Sequence, residues 1–147
     1  MLFIEFDILD AQKFADFQQL YREIVEVSNT EKPESVEFWQ ARVPQYCQAF
    51  FNLVPYNHPN YDRGKIDFEA MMDYLQINLE VEYKVCQEIE EGKGRLEFLP
   101  LAYPYGGMDR LIVFLRMFDC PANKINSGFG LKTVVWNHLL DFSCFDV

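Results

Sequence analysis

The chain has 147 residues, a mass of 17.4 kDa, a net charge of −10 and an isoelectric point near 4.6. That is material for one compact domain over residues 1–147, with a core of its own. Half the residues are apolar and 24% are charged, which excludes a disordered composition. The negative field works against DNA, RNA and anionic membrane surfaces and favours a basic protein partner.

The charge is unevenly spread. Residues 101–147 hold four acids (Asp109, Asp119, Asp141, Asp146) and four bases (Arg110, Arg116, Lys124, Lys132). The whole excess of ten negatives therefore lies in the first 100 residues. Aromatic residues make up 16% of the chain, enough to fill a core, line a cleft or cover a homodimer interface.

In chain order, Leu2–Ile8 reads as a first strand. Asp10 caps a helix to about Val27, with Phe14, Phe17, Tyr21, Ile24 and Val25 at three- and four-residue steps. Pro33 and Ser35 start a second helix through Val36, Trp39 and Val43, which Pro44 breaks or kinks. Its apolar stripe resumes at Cys47, Phe50, Phe51 and Val54. The segment from Pro55 to Gly64 is a loop, and Asp67 caps a short helix through Tyr74.

From Leu75 to Val85 apolar and polar residues alternate without a break, which predicts a strand with one face in water. Glu91-Gly92-Lys93-Gly94 predicts a hairpin turn into Leu96–Leu99. The nearly unbroken apolar run Leu111–Phe118 suits a central strand covered on both faces. Leu131–Phe145 fits both periods in part and is assigned to strand. The expected class is α+β: an N-terminal strand, two or three helices, then an antiparallel meander with the helices on one face of the sheet.

Chemical motifs are sparse. Gly64–Glu69 echoes the second half of a calcium-binding EF-hand loop. With Gly64 as the loop glycine, however, the ligand positions fall on Pro59, Tyr61, Arg63 and Ala70, which supply no carboxylate. The two histidines and four cysteines show neither CxxC nor HxxxH spacing, so no metal site is expected. No nucleophile elbow and no phosphate-binding glycine loop is present. No cofactor is expected. The four thiols sit in apolar contexts and read as free cysteines of a reducing compartment. With no leader-like N-terminus, a cytoplasmic location is expected.

Two residue groups stand out as candidate sites. Continuing the alternation of the acidic strand places Glu80, Glu82, Glu88 and Glu90 on one polar face, suited to a basic protein. A solvated outer face explains the same row. Tyr103, Tyr105, Trp136 and His138 instead suggest an apolar, aromatic cleft between helices and sheet. The leading expectation is a non-enzymatic acidic binding protein, of the inhibitor or immunity type, that masks a basic partner. The alternatives are a small-molecule binder or small enzyme using the cleft, and a structural subunit of a homodimer.

Overall fold

The structure, a computed structural model, describes residues 1–102 and 105–147. Six antiparallel strands form the main sheet: β1 (Leu2–Asp7), β4 (Val81–Glu90), β5 (Lys93–Pro100), β6 (Ala122–Asn126), β7 (Leu131–His138) and β8 (Asp141–Asp146). Their spatial order is β4-β5-β1-β6-β7-β8, so the first strand sits in the middle between a hairpin and a three-strand meander. A separate two-residue parallel pair joins β2 (Phe51–Asn52) to β3 (Ile66–Asp67). The α+β class stands.

The helices are α1 (Ala11–Thr30), α2 (Val36–Gln40), α3 (Gln45–Gln48), α4 (Phe68–Asp73) and α5 (Asp109–Met117). Asp10 caps α1 by accepting from the Gln12 and Lys13 amides at 3.0 and 3.1 Å. Ser35 caps α2 and Asp67 caps α4 in the same way. Among the described residues no helix is long and apolar enough to cross a membrane.

One face of the sheet carries the core. Ile4, Phe6, Leu96, Phe98, Ile125 and Val134 point to it and join Phe17, Phe114 and Phe118 from the α1 and α5 region. Phe17 meets Phe118 edge-on at 5.2 Å and Phe114 at 6.1 Å, the tilted geometry that aromatic pairs favour. The opposite face is polar at its centre. Arg95 pairs with Glu5 and Glu97, each at 3.0 Å, and its guanidinium covers the Phe3 ring at 3.9 Å.

Two segments depart from the sequence expectation. The apolar run Leu111–Phe118 is not a central strand: it forms α5 and the turn after it. Leu111, Ile112, Phe114, Leu115 and Met117 are all buried there, because this short helix is enclosed on most sides and so is apolar nearly all round. Asp109 in its first turn and Arg116 in its last match the helix dipole, a helical signal in the sequence.

The expected strand over Leu75–Val85 begins only at Val81, and it runs on to Glu90. Its first part, Tyr74–Asn78, is a π-helical turn continuing α4, with Leu79 N donating to Tyr74 O at 2.9 Å. Leu75 and Leu79, four apart, are buried while Ile77 is half exposed. Spacing that reads as a strand thus also serves a helical face. The stripe expected to continue to Val54 stops as helix at Gln48, since Phe51 and Asn52 are extended. Leu131–Phe145 is strand, as two strands of a hairpin.

Candidate functional site

The four glutamates of the expected acidic face do not form one row. Register shifts interrupt the β4–β5 pairing between Tyr83 and Cys86 and again between Glu88 and Glu90. Glu82 opposes Leu99 and Glu90 opposes Lys93, on the outer face that also carries Arg95. Glu88 opposes Gly94, on the inner face where the Phe6 ring lies. Each extra residue in a bulge inverts the side-chain alternation beyond it. Glu80 precedes the strand.

The aromatic cleft is not assembled either. Tyr105 donates to Ser127 O at 2.8 Å and lines a cavity of about 340 Å³ with Met108, Ile125, Phe129 and Cys144, at the start of α5. Trp136 lies at the other end of that helix. Its indole N–H donates to Ala122 O at 2.9 Å, and its ring meets Phe142 at 5.2 Å and the Arg116 guanidinium at 5.7 Å. Nine helical residues, roughly 13 Å at 1.5 Å each, separate the two. His138 is exposed near the β7–β8 turn, and Tyr103 lies outside the described residues. His58 takes a turn role, its Nδ1 accepting from the Asn60 amide at 3.0 Å.

Glu80 belongs to a different site. A groove of about 340 Å³ runs between the C-terminal end of α1, the π-turn and the start of β4. Leu75, Leu79, Val81 and Tyr83 form its buried floor, and Ile77 (50% exposed) and Leu101 (69% exposed) stand on its rim. Val27, Ser28, Lys32 and Pro33 line the α1 side. The floor is held from beneath, with the Tyr83 hydroxyl donating to Leu75 O at 2.8 Å and the Tyr21 ring edge-on to Tyr83 at 5.7 Å.

Two glutamates flank this groove, and both hold left-handed backbone: Glu31 at φ 58° and Glu80 at φ 54°. Glu31 ends α1, its N–H donating to Ser28 O at 3.3 Å. Glu80 turns the chain from the π-turn into β4 and accepts from the Leu101 amide at 2.9 Å. A left-handed residue other than glycine, asparagine or aspartate is uncommon and strained, and such residues collect at functional sites. The segment after α1 is fastened to the π-turn by Gln76, whose side chain accepts from Glu34 N at 2.7 Å and donates to Glu34 O at 3.4 Å.

The groove's electrostatics have one dominant sign. The last turn of α1 carries no basic residue, so the negative end of a 20-residue helix dipole opens toward the groove. The carboxylates of Glu31 and Glu80 add to it, with Lys32 as the opposing lining charge. Burial raises the Tyr83 hydroxyl well above its ordinary pKa, which keeps it neutral. The arrangement offers an apolar floor and a rim that favours cations and hydrogen-bond donors.

Sequence reasoning reached Glu80 and missed the rest. The helix end expected near Val27 falls three residues short of the observed end at Thr30 and marks the α1 side of the groove, but nothing local says that the chain segment around Glu80 returns to it. Among the described residues no three His, Cys, Asp or Glu side chains converge to hold a metal ion. Comparison with family models, curated proteins and solved structures finds no match to this chain.

Proposed function

We propose that the protein is an acidic binding protein whose groove between α1 and the π-turn takes a basic, amphipathic segment of a partner protein. The observation that supports this most is the pair of left-handed glutamates, Glu31 and Glu80, on either side of one apolar floor. An apolar side chain of the partner fills the space over Leu75, Leu79 and Val81. Lysine or arginine beside it meets Glu31, Glu80 and the carbonyl end of α1. The localised acidity of the first 100 residues draws such a partner in and speeds encounter more than it deepens affinity. Masking a basic surface of the partner, as an inhibitor does, is the biological reading that fits this chemistry.

The test is a fluorescence titration with a labelled peptide carrying leucine flanked by arginines, and with a control in which glutamates replace the arginines. Saturable binding of the basic peptide alone is expected, weakening as salt rises. Replacing Glu31 and Glu80 together by glutamine should lower affinity roughly two- to ten-fold, the range for partly exposed charge pairs. Equal binding of both peptides, or binding indifferent to salt and to the double substitution, would dismiss the reading.

A further inference from the structure

The two edges of the sheet are built differently. At the β4 edge, charged residues (Glu82, Lys84, Glu88, Glu90) alternate along the strand and two bulges interrupt it. Helix α1 also reaches over: the Tyr21 hydroxyl donates to Lys84 O at 2.7 Å and the Gln18 amide to Cys86 O at 3.1 Å. These are the devices that protect an edge from pairing with another chain. The β8 edge is less guarded. Its two charges, Asp141 and Asp146, sit at the ends of Asp-Phe-Ser-Cys-Phe-Asp, and the one shift in its pairing falls on β7 beside Asp141. It holds no lysine or proline, and among the described residues only β7 pairs with it.

The outer face beside that edge is apolar and open. Val135 is 44% exposed, Phe145 56% and Val147 74%, with Leu131 next to them. Charge distinguishes among the chains that might cover it. Residues 101–147 are net neutral while the first 100 carry all of the excess negative charge, and β4 and β8 are opposite edges of one sheet. Two copies meeting through β8 therefore join at the net-neutral part of each chain, with the acidic β4 strands at the two far edges.

We infer that β8 pairs antiparallel with β8 of a second copy, about a two-fold axis through Cys144, joining two sheets into one. A two-fold axis normal to the sheet keeps each face continuous and so must pass through a residue position. Centring on Cys144 pairs the whole stretch from Asp141 to Val147, and shifting the axis by one residue either way leaves part of the stretch unpaired. This register sets Phe145 opposite the small Ser143 of the other copy, next to Val135, large against small on the apolar face. With the axis on Ser143, Phe145 would face Asp141 instead. The α1 groove remains open at the far edge of each copy, so the pairing is independent of what that groove binds.

The decisive experiment combines mass and cross-linking. Light scattering of the full chain under reducing conditions should give twice the monomer mass. Directly opposed antiparallel residues have Cα atoms about 4.5–5.5 Å apart, within disulfide reach. Copper-phenanthroline oxidation should therefore yield a covalent dimer that Cys144→Ser abolishes. Cys144→Pro, which removes an N–H that points away from β7, should halve the mass with the far-UV circular dichroism unchanged. Should that variant fail to fold, Phe145→Lys, at an exposed position, should halve the mass instead. Monomer mass for the native chain overturns the inference. So does a dimer that neither cross-links at Cys144 nor responds to substitutions in β8.

Discussion

Glu80→Gly separates backbone strain from side-chain charge at the groove. Glu80 holds φ 54°, where an L-residue costs about 1–2 kcal/mol that glycine does not. Glycine gives back about 0.5–1 kcal/mol through the greater freedom of the unfolded chain. The side chain is exposed, so no core contact is lost, and the Leu101 N–H to Glu80 O bond survives the change. The net expectation is a gain of about 0.5–1 kcal/mol, roughly 1–4 °C in Tm for a chain of this size. Urea denaturation should show a higher midpoint with an unchanged slope. Glu80→Ala, which keeps the Cβ and removes the carboxylate, should leave the midpoint near the native value. Both variants should bind the basic peptide more weakly, and only the glycine variant should be more stable. A midpoint for Glu80→Gly at or below the native one would refute the strain argument, and with it the observation on which the groove was singled out.

Gly106→Ala should destabilise the chain by about 1–3 kcal/mol, read from the same urea curves, because its Cβ would fall 2.2 Å from Asn78 O and 2.8 Å from Leu79 Cα. It should weaken peptide binding as well, since those atoms carry the groove floor. Stability should also fall at alkaline pH. Burial pushes the Cys47 and Cys120 thiols up to about 12 from 9.0, so the unfolded chain releases their protons first. The stabilisation is complete below pH 9 and is lost as pH climbs toward 12, at about 1.4 kcal/mol per pH unit for each thiol. Urea midpoints that stay level from pH 9 to pH 10, before unfolded tyrosines contribute, would contradict this. Native-state labelling with a thiol disulfide reagent should modify Cys144 fast and leave buried Cys47 and Cys120 untouched until the chain unfolds. In Cys144→Ser, native-state labelling of more than one thiol would count against the packing around Cys47 and Cys120, since partly exposed Cys86 accounts for one.

Legibility followed locality. The caps at Asp10, Ser35 and Asp67 were readable because the residues that define a helix start lie within three positions of one another. The Glu91-Gly92 turn was readable for the same reason, with Gly92 at φ 78°. What failed depended on burial that no local window contains. Leu111–Phe118 is equally apolar as a covered strand or an enclosed helix, and its enclosure by α1 and β6 is a tertiary fact. The alternation at Leu75–Val85 crosses from a π-turn into a strand because Leu75, Leu79, Val81 and Tyr83 all face the core from two kinds of backbone. The acidic row dissolved at the bulge after Tyr83, an insertion of one residue with no sequence mark of its own. Of the site, Glu80 and the helix end near Val27 were visible singly. Their meeting across the groove depends on a fold contact between α1 and the π-turn.

The most direct test of the central claim is a ¹⁵N chemical-shift titration of the chain with the arginine-flanked leucine peptide. The account predicts shifts confined to amides of Ser28–Lys32, Gln76–Val81 and Leu101, the two walls and the rim of the groove. Shifts centred elsewhere on the molecule, or none at peptide saturation, would contradict it.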